Sequence, residues 1–236
     1  MLPQLPFRQP PIPVSGFMAF YRKPWFPFTL PFLLYFIAIE TARHLPQWQH
    51  LLFLAGISLA GAALWSWRAR FFFLLQLPRQ AVGTECLIGL LAGGGSALFW
   101  QLGLQLGWLR PASLVWPSHW SSSLAMTMSV LSILCFVMLL PVLEELFWRA
   151  FMLRYLIAPD FTRIPLGTAQ PFAFVTVVAL AAIPAGEGLL VGTCFSAALY
   201  NLLLIWRKNL LCGIVAHSLA NALIALQFQL HQFRLY

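Results

Sequence analysis

The chain has 236 residues, of which 61% are hydrophobic and only 8% charged, and its mean hydropathy is +0.81. That balance excludes an ordinary soluble domain, in which about a quarter of residues are charged. It also excludes a nucleic-acid partner despite the net charge of +8, because Lys and Arg form no stripe and instead punctuate the ends of apolar runs. Runs of membrane-spanning length predict an all-α polytopic membrane protein with lipid as its surroundings.

The proline-rich start, 1–16, has no apolar core and no small-residue cleavage site. No cleavable signal peptide is therefore expected, and the first span serves as an uncleaved insertion signal after a cytoplasmic tail, 1–24. Spans are expected at 25–43, 50–67 and 82–107, forming an N-terminal three-helix region over 25–121. A core region over 122–230 follows, with spans at 122–143, 171–185, 188–206 and 210–229, and a short tail closes the chain at 231–236. The span at 171–185 is short for the ~20 residues a bilayer needs, so it is tilted, broken or enclosed by its neighbours. Between the fourth and fifth spans, 144–158 either extends helix four or lies along the interface, and Pro159, Pro165 and Gly167 break it. The count is seven to eight helices enclosing a polar intramembrane cavity. No internal repeat is visible, which disfavours a repeat-built transporter.

Basic residues alternate along this series. Arg8, Arg22 and Lys23 precede the first span and Arg43 follows it; Arg68, Arg70 and Arg79 follow the second and Arg110 the third. Arg149, Arg154 and Arg163 follow the fourth, none follows the fifth, Arg207 and Lys208 follow the sixth, and Arg234 follows the last. Rich loops belong on the cytoplasmic side, which places the N-terminus inside and the C-terminus outside. An even count with both ends inside is the rival. Cys86, Cys135, Cys194 and Cys212 lie in apolar runs without CxxC spacing, so buried inert thiols are expected.

Chemistry concentrates at two places. Glu144 and Glu145 are two of only six acidic residues and end an apolar run, with Arg149 four positions after Glu145 on the same helical face. Charge near hydrocarbon is costly and marks a site, although a helix-end ion pair would give the same pattern. In the last span, His217 and Asn221 are also four apart and share a face, about 6 Å apart along the axis. Alone they read equally as hydrogen-bonding glue between helices. His217 lies roughly 10 Å from the cytoplasmic end of its helix, a depth the glutamates can reach. Arg154, Arg207 and Lys208 read as topology anchors, Tyr200 as packing, Asn201 as packing or a cavity donor, and Glu40, Glu85 and Glu187 as interfacial.

Glu144-Glu145-x-x-x-Arg149 followed by His217-x-x-x-Asn221 resembles the CAAX-protease and bacteriocin-processing (Abi) family of intramembrane proteases. Members carry EExxxR, then FxxxH, then HxxxN or HxxxD on successive core helices. The flanks Leu140-Pro141-Val142-Leu143 and Phe151-Met152-Leu153-Arg154-Tyr155 fit too. Tyr200-Asn201 and the closing helix resemble the bacterial branch associated with PEP-CTERM and exosortase systems. The resemblance covers about 122–230 and implies an enzyme of the bacterial inner membrane acting on a membrane-anchored or exported polypeptide. One motif is missing: the neighbourhood of FxxxH aligns Val178 with the Phe and Ala182 with the His, and no histidine occurs between His119 and His217. His44, His50, His119 and His231 fall in or beside loops on the other side, and Glu187 is the nearest substitute polar group.

Peptide hydrolysis in a membrane cavity requires an activated water, a base and donors for the oxyanion. One glutamate of the pair can act as base while Arg149 holds the other as a carboxylate, and burial with a like-charged neighbour tunes both. Asn221 can donate to the oxyanion and His217 can position water. If a divalent metal such as zinc is used, Glu144, Glu145 and His217 are its ligands, but the set is thin and no HExxH motif is present. The resemblance implies a glutamate-type or metal-assisted mechanism. Two other classes are compatible with the residues: a catalytically degenerate scaffold or chaperone that binds a membrane protein or peptide, favoured by the missing histidine, and a proton-coupled transporter using Glu and His as a relay.

Overall fold

The computed structural model describes residues 23–110 and 122–234. Among them all regular structure is helical: α1 (Phe26–His44), α2 (Gln49–Ser66), α3 (Arg79–Gln105), a long segmented α4 over 122–155, α5 (Pro171–Ala182), α6 (Leu190–Arg207) and α7 (Leu210–Arg234). Among the described residues five stretches are long and apolar enough to cross a membrane: Gln49–Ser66, Arg79–Gln105, Met126–Tyr155, Glu187–Arg207 and Leu210–Gln227. Pro171–Ala185 is apolar but shorter, and α1 spends its last turns on Glu40, Thr41, Arg43 and His44. The stretch after Glu144 continues α4 to Tyr155 instead of lying flat. The expected N-terminal tail lies almost wholly outside the described residues, as do His119 and the side chain of His231, whereas 231–234 of the expected C-terminal tail continue α7.

Small residues set the helix spacing. On α3, Gly89 and Gly93 are buried, while Leu91 and Leu98 on the opposite face are 70% and 71% exposed, as lipid contact requires. A Cβ on Gly89 would lie 2.8 Å from the Cys212 carbonyl oxygen, and one on Gly93 would collide with the Ala216 carbonyl. The α3 backbone therefore rests directly on α7, the helix carrying His217. At the end where the basic loops gather, Arg207 of α6 grips Glu85 of α3: Nη2 lies 2.5 Å from Oε1, and Nε lies 3.2 and 3.1 Å from the two carboxylate oxygens. Glu85 is only 3% exposed, so this pair near the helix ends is an interhelical clamp. The α6–α7 turn is closed by Lys208 in the left-handed region (φ 55°) and by Asn209, whose Oδ1 accepts from the Cys212 amide at 3.1 Å.

The backbone of α4 departs from α-helical geometry twice, in π segments at Cys135–Leu139 and Glu145–Met152. The first has a visible cause in Pro141, which has no N–H and whose ring disfavours an α-helical turn before it. Leu140 N–H reaches back five residues to the Cys135 carbonyl. The matching bond to Phe136 would come from residue 141, where proline has nothing to donate. Asn221 of α7 supplies it instead: Nδ2 donates to the Phe136 oxygen at 2.9 Å. A buried carbonyl left alone costs about 1–3 kcal/mol, so this side chain satisfies the proline's orphan and fixes α7 against α4.

That account predicts coupling between two positions. Asn221→Leu should lower the unfolding free energy of the solubilised protein by roughly 1–3 kcal/mol. In a Pro141→Ala background, where an amide at 141 can take the carbonyl, the same change should cost markedly less. An equal cost in both backgrounds, measured by thermal or denaturant unfolding in one detergent, would contradict it.

Candidate active site

The second π segment begins at Glu145 and carries Arg149, and such backbone insertions recur at functional sites because they re-aim side chains. Neighbouring residues on a helix point about 100° apart, so Glu144 and Glu145 cannot share one direction. The imidazole of His217 meets both. Its Nδ1 lies 3.1 Å from Glu145 Oε1, while its Nε2 lies 3.6 Å from Glu144 Oε2, beyond a direct hydrogen bond. Arg149 Nη1 also approaches Glu145 Oε1, at 3.3 Å, and Nη2 donates to the Ala197 carbonyl at 3.1 Å. Glu145 and Arg149 are each 1% exposed.

The two glutamates consequently differ in kind. Glu145 is sealed and committed to two partners. With an anionic acceptor at Nδ1, the neutral ring carries its proton there and turns the Nε2 lone pair toward Glu144. Tyr200 stacks on the other face of His217 (centroids 4.8 Å, planes 26° apart) and also lies under the Arg149 guanidinium at 5.4 Å. Gly213 leaves space for the carboxylate, since a Cβ there would sit 3.0 Å from Glu145 Oε2. Glu144 instead borders an open cavity of about 350 Å³.

All seven helices except α2 contribute to that cavity. Its far wall is aromatic and apolar, with Phe32, Tyr35 and Phe36 from α1 and Phe136 and Leu140 from α4, while Trp100 of α3 and Thr193 and Ser196 of α6 bring polar atoms. Ser196 Oγ accepts from Trp100 Nε1 at 2.9 Å and lies 3.0 Å from Ser96 Oγ. Asn221 lines the cavity, with one amide hydrogen spent on Phe136. Glu144, Arg149 and His217 line it as well, and Glu145 stands behind them.

Other expectations sort differently. Ala182, aligned with the missing histidine, is buried at 1% exposure, and α5 presents only Ala181 and, just beyond it, Pro184 and Ala185 to the cavity. Glu187 is exposed and off the wall. Neither His44 nor His50 lines the cavity. Asn201 is fully buried and donates weakly to the Phe174 carbonyl at 3.4 Å, so it braces α6 on α5 and is no cavity donor. Arg154, expected as a topology anchor, is 6% exposed, with Nε donating to the Ala150 carbonyl and Nη1 to the Ile164 carbonyl. For a resident metal the donor set is inadequate. Glu145 is already held by Arg149 and His217, and among the described residues no three of His, Cys, Asp and Glu are arranged to hold an ion.

No curated protein and no solved structure matches the chain. Residues 126–223 match the family model described as type II CAAX prenyl endopeptidase Rce1-like. The matched segment contains Glu144, Glu145, Arg149, His217 and Asn221, and leaves out α1 and α3, which supply part of the cavity wall. Residues 126–223 are thus similar to the Rce1-like CAAX prenyl endopeptidases, and the candidate residues they carry converge on one cavity.

Proposed function

We propose that the protein is an intramembrane endopeptidase in which Glu144 activates a water molecule to attack a peptide bond of a membrane-anchored or exported polypeptide. The observation that carries this reading is the ordered chain Arg149–Glu145–His217, ending at a glutamate that faces the cavity. The water oxygen adds to the carbonyl carbon, its proton passes to Glu144, and Glu144 returns that proton to the leaving amine as the C–N bond breaks. His217 Nε2 orients the water, while Glu145 and Arg149 fix the ring through Nδ1. The second amide hydrogen of Asn221 is free to meet the oxyanion. The aromatic wall suits an apolar polypeptide segment or its membrane anchor, and the low-dielectric surroundings strengthen each charge-assisted contact.

A second reading keeps the cavity as a binding chamber without catalysis. It is favoured by the apolar surface that α5 presents where the family carries its second-motif histidine. A bacterial inner-membrane location with the N-terminus cytoplasmic is part of the proposal under either reading, resting on the loop charges.

Catalysis and fold should separate at the two glutamates. Glu144→Gln should lower processing of a co-expressed membrane-anchored substrate by at least ~100-fold while leaving the thermal midpoint nearly unchanged. Arg149→Ala leaves a buried carboxylate without its cation and should cost activity together with about 3–5 kcal/mol of stability. Unchanged processing in both Glu144→Gln and Glu145→Gln would discard the protease in favour of the binding chamber.

A further inference from the structure

Among the described residues, the cavity is closed at one end of the helix bundle and open at the other. Its lining runs along α1 from Phe32 to the half-exposed Arg43 at the end of that helix. On α6 it starts at the opening turn, with Leu189 and Thr193, and stops at Tyr200, seven residues short of Arg207. On α7 it starts only at His217 and continues to Ile224, and near α5 it touches only Ala181, Pro184 and Ala185. Since successive helices run in opposite directions, these positions all fall toward the same end. The deepest lining residues are Trp148 and Arg149.

Beneath them the bundle is plugged. Phe28, Phe71, Phe151 and Phe161 form an aromatic cluster, with centroids 5.1 Å apart for Phe28–Phe71, 5.5 Å for Phe28–Phe161 and 5.0 Å for Phe151–Phe161. Arg154 ties the loop carrying Phe161 and Ile164 back onto α4. The plugged end is also where Lys23, Arg68, Arg70, Arg79, Arg163, Arg207 and Lys208 gather, whereas Arg43 and Arg110 stand at the open end. Loop charge of this kind marks the cytoplasmic side.

Building on the endopeptidase reading, we infer that the cavity admits substrate from the non-cytoplasmic face and is barred to the cytoplasm. The substrate class is then a polypeptide whose cleaved segment is already displayed outside, and a cytoplasmic tail is excluded.

The test is labelling by a membrane-impermeant maleimide in right-side-out and inside-out membrane vesicles, read above the label taken by the parent protein's four cysteines. Arg43→Cys reports the mouth, Thr193→Cys the cavity wall, and Thr162→Cys, on the exposed loop of the plugged end, the opposite face. Arg43→Cys and Thr193→Cys should label in right-side-out vesicles only, and Thr162→Cys in inside-out vesicles only. Labelling of Thr193→Cys from the Thr162 side, from both sides or from neither would overturn the inference, as would a reversed pattern at Arg43 and Thr162. The readout needs no proteolysis, so a failed protease assay leaves it standing, and an active protease whose Thr193→Cys labels from the Thr162 side refutes this inference alone.

Discussion

Burying the carboxylate of Glu145 is the constraint around which the site is arranged. A charge at 1% exposure inside a helix bundle is sustainable only when paired and hydrogen-bonded. Here Arg149 supplies the countercharge from the same helix and His217 supplies an N–H from another. Each of these partners is held in turn: Arg149 by the Ala197 carbonyl and the Tyr200 ring, His217 by stacking on Tyr200. The orientation of the imidazole follows from satisfying the buried anion. Catalytic geometry at Glu144 is therefore a consequence of a stability requirement at its neighbour.

The backbone serves the same end. Pro141 forces α4 out of α-helical register just before the acidic pair, and Asn221 takes up the carbonyl that the proline leaves unbonded. One residue of the late motif thus locks α7 to α4 while His217, one turn away, meets the glutamates. Glycines set the remaining distances: Gly213 clears the volume for the Glu145 carboxylate, and Gly89 and Gly93 let α3 press against the outer side of α7. The Glu85–Arg207 clamp ties α3 to α6 at the plugged end, about two turns below the site.

Much of this was readable from residue spacing. Glu145 with Arg149, and His217 with Asn221, stand four apart on helices, and that spacing alone puts each pair on one face. The seven apolar runs located the helices because lipid demands long hydrophobic segments, and the segment after Glu144 proved to be a continuation of α4. Other features leave no such trace. Which glutamate faces the cavity depends on a π register that changes the rotation per residue, and hydropathy is blind to it. Glu85 and Arg207 are 122 positions apart, so their pairing requires the packing of α3 on α6. The aromatic wall from α1 and the hydroxyl cluster of Ser96 and Ser196 belong to runs whose composition is shared by any membrane helix. Asn221 read as an oxyanion donor, while its observed bond is to backbone, because the orphaned Phe136 carbonyl appears only once Pro141 is seen in its helix.

The central claim is that the adjacent glutamates have opposite roles, Glu145 sealed by its ion pair with Arg149 and its hydrogen bond with His217, and Glu144 open to the cavity. Treatment of the membrane-embedded protein with dicyclohexylcarbodiimide, followed by peptide mass spectrometry, measures this directly, because the reagent requires an accessible, protonatable carboxyl group in an apolar setting. The account predicts a single adduct on Glu144 with Glu145 unmodified, and an adduct on Glu145 with Glu144 left free would contradict it.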